Sequence, residues 1–135
     1  MKVQELNKQI VRRFNEEFIE KGDVKAFEEI VAPSFVNHTA LPGSDNGPKS
    51  AFDFIMNVLR PAFPDLKVVI HDQVAEADKV VTRKSFIGTH QTNFMGMPPS
   101  GKEVCLNVMD IIVLKERRYT EHWSIRDFQD LYNKQ

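Results

Sequence analysis

Apolar residues return at helical spacing along the first part of the chain, at Val3, Leu6, Ile10, Phe14 and Phe18. That period predicts an amphipathic helix stopping near Lys21 and Gly22. Asp23 is placed to cap a second, short helix whose buried face holds Val24, Phe27, Ile30 and Val31, with Pro33 ending it. Phe35 to His38 reads as a short strand or extended piece, followed by a polar loop from Leu41 to Gly47. Pro48 suits the first turn of a third helix carrying Phe52, Ile55, Val58 and Leu59 inward, and Pro61 and Pro64 close it.

From Leu66 the period changes to two. Leu66 to Glu76, Lys79 to Gln91, Glu103 to Leu114 and Arg118 to Phe128 read as strands. Ala77-Asp78 and Lys115-Glu116-Arg117 are short enough for hairpin turns, whereas Thr92 to Gly101 makes a longer link. Helices first and a four-strand antiparallel meander afterwards give an α+β fold, with the helices packed on one face of a curved sheet. No repeat or linker divides residues 1–135, so a single domain is expected. The strand from Glu103 to Leu114 is apolar on both faces, with Cys105, Met109, Ile111 and Val113 on one parity and Val104, Leu106, Val108 and Ile112 on the other. Helices can cover one face; a second copy packed sheet to sheet is the simplest cover for the other, which predicts a homodimer.

Composition narrows the classes. A net charge of −1 lacks the basic excess that nucleic acid or an anionic membrane would require. The basic cluster Lys115 to Arg118 falls on a turn and reads as solvated. No apolar run approaches the roughly 20 residues needed to span a bilayer. The start, Met1-Lys2-Val3-Gln4-Glu5, does not resemble a signal peptide, and Cys105 is the only cysteine, so a cytoplasmic location is expected and the Asn37-His38-Thr39 sequon is idle there. The four histidines are far apart with no metal-binding spacing, and no glycine-rich phosphate loop follows a strand, so neither a metal nor a cofactor is expected.

Candidate chemistry centres on the last strand, Glu121 to Asp127. Strict alternation puts Glu121, Trp123, Ile125 and Asp127 on one face. A carboxylate sharing a face with Trp123 and Ile125 is costly to bury unless paired or raised in pKa, which makes Asp127 a candidate acid/base residue. The bland alternative is an end-of-strand carboxylate that accepts backbone N–H bonds or pairs with Arg126 or Arg83. His90, at the strand end leading into the long link, is a candidate oxygen-side donor or orienter, or else pins that loop. His122 has the opposite parity and is expected on the convex face or an interface; His71 is expected at the surface. Asp110 shares the parity of Val104 to Leu114 and is either a second pocket carboxylate or, as favoured, an interface residue. Arg83 lies among Val80, Val81 and Phe86 and calls for a carboxylate partner among Asp127, Glu121 and Asp110. Phe94, Met95 and Met97 either pack on the sheet or on a second subunit, or form a lid over a cavity at its open end.

Four motifs in order, Ala62 to Leu66, Gly88 to His90, Phe94 to Lys102 and Glu121 to Asp127, make the chain resemble the SnoaL-like polyketide cyclases, also described as predicted ester cyclases. These belong to the nuclear-transport-factor-like, cone-shaped superfamily. The resemblance runs from Phe35 to the end of the chain; Glu116-Arg117-Arg118-Tyr119 stands where the family usually has Asp-Gly-Lys-Ile. It implies an enzyme of cyclase or isomerase type, closing a ring by an intramolecular aldol step with one Asp as base and neither metal nor organic cofactor. The family's catalytic Asp falls on Asp127. The expected site is then Asp127 and His90 as catalytic residues, with His38, Trp123, Glu121, Arg83, Phe94 and Met97 lining a pocket for a small apolar carbonyl compound. A non-catalytic binding protein, a related isomerase, dehydratase or epoxide hydrolase, or an interaction module are the alternatives on the same fold.

Overall fold

The computed structural model describes residues 1–135. Its first helix, α1 (Val3–Arg13), runs on without a break into π-helical turns, Phe14–Glu20. Gly22, at φ +76°, stops it, and the Gly22 and Asp23 N–H groups return to the carbonyls of Phe18 and Glu17. Asp23 caps α2 (Val24–Ile30) by accepting the Lys25 N–H at 3.0 Å. Pro48 stands in the first turn of α3 (Pro48–Asp53), which continues as π-helical turns Phe54–Leu59 and a last short turn, α4 (Arg60–Ala62).

The sheet has five strands in the order β1-β5-β4-β3-β2. Four of them, β2 (Lys67–Glu76), β3 (Lys79–Thr89), β4 (Glu103–Lys115) and β5 (Arg118–Asp127), form the expected antiparallel meander. The fifth extends the short strand expected from Phe35 to His38 back to Val31 and adds it to the sheet. Here β1 (Val31–Asn37) begins directly after α2 and pairs parallel with β5, so Pro33 sits in an edge strand rather than ending a helix. A closing helix, α5 (Gln129–Asn133), lies beyond β5.

The helices cover the face of β4 carrying Val104, Leu106, Val108 and Ile112, all buried, and a ring cluster of Phe14, Phe18, Phe27 and Phe52 fills the space between them. The opposite face leaves Met109, Ile111 and Ile125 exposed.

One irregularity decides which side chains face the helices. The β4–β5 hairpin turns at Glu116 and Arg117, both at positive φ as such a tight turn requires, and pairs Lys115 with Arg118 and Leu114 with Tyr119. The next pair is Val113 with Glu121, so Thr120 is an extra residue on β5, its hydroxyl donating to the Val113 carbonyl at 3.1 Å. A bulge of one residue exchanges the two faces of every position after it. Ile112 therefore stands opposite His122, Asp110 opposite Ser124 and Val108 opposite Arg126. Were Thr120 paired in turn with Val113, the partner of Ile112 would be Glu121.

Candidate active site

Between the helices and the inner face of the sheet lies a cavity of about 580 Å³. Its walls are mostly apolar, with Phe35, Phe54, Phe86, Val108 and Ile112 among them. Into it point Lys84 from β3, Asp110 from β4, and Tyr119, His122, Ser124 and Arg126 from β5.

The bulge reverses the expected parity of the last strand. Asp127 is exposed, takes no part in the cavity wall, and accepts the Gln129 N–H at 3.0 Å at the start of α5. The bland reading of that carboxylate is therefore the observed one. Trp123 and Glu121 lie on the outer face with it. His38 follows them there, because alternation along β1 sends Asn37 inward and His38 outward. Its ring stacks on Trp123 at 4.4 Å and its Nε2 lies 3.0 Å from Glu121 Oε1. Arg83 is also on the outer face, exposed, and pairs at 2.6 Å with Asp72, its neighbour on β2, rather than with Asp127, Glu121 or Asp110.

His90 is fully buried beyond the cavity wall, against Phe63 at 5.4 Å, and neither ring nitrogen has a partner. Its backbone ties the long link down, donating to the Lys102 carbonyl and accepting from Gly101 N–H. The link itself folds into a tight turn at Met95 and Gly96, both at positive φ, closed by hydrogen bonds between Phe94 and Met97. Phe94 is fully buried against Phe54, Phe63 and Phe128, and Met97 packs on the core, so both are structural and only Met95 reaches the cavity.

In place of the expected group the fold brings together His122, Asp110, Lys84, Asn15 and Asn37. Lys84 and Asp110 are 4% and 5% exposed and pair at 3.0 Å. Lys84 also donates to Asn15 Oδ1 at 2.7 Å, and Asn15 donates to the Val11 carbonyl, so the ammonium is anchored to α1. The second oxygen of Asp110, Oδ1, is buried without a partner. His122 Nε2 stands 3.9 Å from Asp110 Oδ2.

The tautomer of His122 follows from its other nitrogen. Asn37 Oδ1 accepts the Thr39 N–H at 3.1 Å, which identifies that atom as the oxygen of the amide. An oxygen there can only accept, so His122 Nδ1, 2.9 Å away, carries the proton. Burial, with the positive charges of Lys84 and Arg126 nearby, lowers the His122 pKa to about 4, although Asp110 pulls the other way. At neutral pH the ring is uncharged and Nε2 offers a lone pair. The Tyr119 hydroxyl moves in the opposite direction: burial, and then the Asp110 charge, raise its pKa well above 10, so it stays protonated and can donate.

Regular alternation puts His122 on the outer side; the extra residue at Thr120 brings it opposite Ile112 and inward. Lys84 gave a weaker signal, a cation on the alternating face shared by Val80 and Phe86. No group of three or more His, Cys, Asp and Glu side chains is arranged to hold a metal ion, and no helix is long and apolar enough to cross a membrane.

Comparison with known proteins agrees with this architecture. The family model of the SnoaL-like polyketide cyclases matches residues 9–134. TsrD from Streptomyces laurentii superposes with a TM-score of 0.86 over 99% of this chain and 97% of its own, at 22% identity. A candidate SnoaL-like polyketide cyclase from Jannaschia sp. CCS1 gives 0.83 over 99% and 94%, at 25% identity. IdmH from Streptomyces antibioticus, a candidate polyketide cyclase, gives 0.79 over 95% and 96%, at 27% identity. A search among curated proteins finds no significant match.

Proposed function

We propose that this chain, which belongs to the SnoaL-like polyketide cyclase family, is a cyclase-type enzyme that moves a proton with its own side chains on a small apolar carbonyl compound held in the cavity. The observation that carries the proposal is His122: an uncharged ring in an apolar cavity, oriented by Asn37, with Nε2 free and a buried carboxylate 3.9 Å away.

In this reading Nε2 removes a proton from the carbon beside a carbonyl. Asp110 stabilises the imidazolium that results, and Lys84 keeps the Asp110 carboxylate in place. Tyr119 donates to the oxygen that gains charge. The enolate carbon then forms a bond to a second carbonyl carbon of the same molecule, closing the ring. The new alkoxide takes up a proton, and His122 returns to its uncharged form. The base is thus assigned to His122 instead of Asp127, because only His122 reaches the cavity.

Deuterium incorporation beside the carbonyl of α-tetralone in D2O, followed by NMR, tests the proton step without knowledge of the natural substrate. Wild-type protein is expected to accelerate exchange, Asp127→Asn to behave as wild type, and His122→Gln to lose the acceleration. Binding without exchange in the wild type would replace the enzyme reading by that of a carrier for apolar carbonyl compounds.

A further inference from the structure

Arg126 is the cation of the cavity that nothing neutralises. Lys84 is paired with Asp110 at 3.0 Å, and Asp53, at the rim, is held by Lys49. Arg126 has neither a carboxylate at ion-pairing distance nor a hydrogen bond to the protein; desolvation alone acts on it, lowering its pKa. What holds it is aromatic. The guanidinium carbon lies 5.0 Å from the centre of the Phe54 ring and 5.8 Å from that of Phe128. The two rings bound the side chain, while its surface stays open at the cavity mouth.

A guanidinium presents a planar fork of donors that fits a carboxylate two-pronged. The cavity has one uncompensated positive charge, which a singly charged carboxylate would balance, whereas a phosphate dianion would leave excess negative charge against an apolar wall. Arg126 and His122 are on the same face of β5, four residues apart, so their Cα atoms are about 13 Å from each other. A ligand serving both is elongated, with its anion at the mouth and its reacting carbon deep inside.

We propose that the cavity takes an amphipathic carboxylic acid, its carboxylate held by Arg126 at the mouth and its apolar carbonyl-bearing body reaching His122. The proposal rests on the cavity being the substrate site and adds the charge of the substrate to it. A charged carboxylate on Arg126 also removes one of the positive fields that depress His122, so binding strengthens the base.

Calorimetric titration at pH 7 with 2-naphthylacetate and with its methyl ester tests this. The acid is expected to bind wild-type protein at least tenfold more tightly than the ester. Arg126→Gln should remove that tenfold preference and leave the ester affinity unchanged; Arg126→Lys should keep part of it. Because Arg126 has no ion pair or hydrogen bond in the protein and only its two ring contacts are lost, both variants should melt within a few degrees of the wild type. Equal binding of acid and ester, untouched by Arg126→Gln, would overturn the carboxylate proposal and leave the cavity reading standing. Displacement of the acid by millimolar inorganic phosphate would overturn it in favour of a phosphate ligand. Failure of both probes to bind the wild type would remove the cavity reading and this proposal together.

Discussion

His122 Nε2 and Asp110 Oδ2 face each other at 3.9 Å, too far apart for a hydrogen bond. The lone pair of an uncharged imidazole and a carboxylate have no reason to approach. Once Nε2 has taken a proton, the same two groups become an ion pair in a cavity of low polarity, where attraction is stronger than in water. The arrangement is therefore better matched to the protonated state of His122 than to its resting state, as expected where a base gains charge during the reaction.

Replacing His122 by Gln is expected to reduce turnover of any accepted substrate by about 10²–10⁴-fold while the chain stays folded. Asp127→Asn serves as the contrast. That side chain is exposed and accepts a single backbone N–H, so steady-state rates should remain within about twofold of wild type and stability should fall by no more than about 1 kcal/mol. A large loss of rate in Asp127→Asn would contradict the assignment of the base.

The depressed pKa of His122 also sets a pH dependence of stability. Between about pH 6.5 and about 4 the unfolded chain binds a proton that the folded chain refuses. Folding stability therefore falls as pH drops through that window, and this group adds nothing further below about 4. The loss amounts to about 3 kcal/mol for a shift of this size. His122→Gln should flatten the slope between those limits in urea titrations at successive pH values. An unchanged slope would mean that the ring is not held uncharged.

Lys84 and Asp110 form a buried pair, and the cost of separating them is asymmetric. Lys84→Met removes the partner of Asp110 Oδ2, leaves the enclosed carboxylate with neither oxygen hydrogen-bonded, and is expected to destabilise the protein by about 3–5 kcal/mol. The double change Lys84→Met with Asp110→Leu should restore much of that stability while leaving the protein inactive. Chemical denaturation of the three proteins reads the first effect, and α-tetralone exchange the second.

The fold was written plainly in the chain. Helical spacing from Val3 to Phe18, the capping Asp23 and Gly22, and the change to period two after Leu66 each follow from local physics, and the first helix and the four meander strands stand where the pattern puts them. The fifth strand was harder to read, because β1 takes its order from pairing with β5, a distant segment. The site was hidden by Thr120. Periodicity is a local signal with no memory of an inserted residue, and nothing in Arg118-Tyr119-Thr120-Glu121 distinguishes a bulged strand from a regular one. The alternation from Glu121 to Asp127 holds, and the bulge exchanges its two faces. Deleting Thr120 tests this account. With the extra residue gone, Glu121 follows Tyr119 directly and meets Val113, and His122 stays opposite Ile112 on the inner face, so a folded deletion variant should keep its exchange activity. A folded variant without exchange activity would show that Thr120 does more for the site than set the register.

Tyr119 supplies the last expectation. It precedes the bulge and yet faces the same cavity as His122, since the extra residue brings positions of opposite parity to one side. Its ring packs on Phe14 with centroids 4.6 Å apart, and the side chain is 2% exposed. Tyr119→Phe keeps that ring and removes only the hydroxyl, so stability should change by about 1 kcal/mol or less. If the hydroxyl donates to the developing oxyanion, kcat should fall by about 10²-fold, with KM little altered, because the hydrogen bond strengthens only as charge builds on the oxygen. Its raised pKa adds a second readout. A donor that stays protonated beyond pH 10 gives no alkaline limb to the rate below that value. An alkaline limb near pH 9 that vanishes in Tyr119→Phe would assign Tyr119 the role of an ionising base instead of a neutral donor.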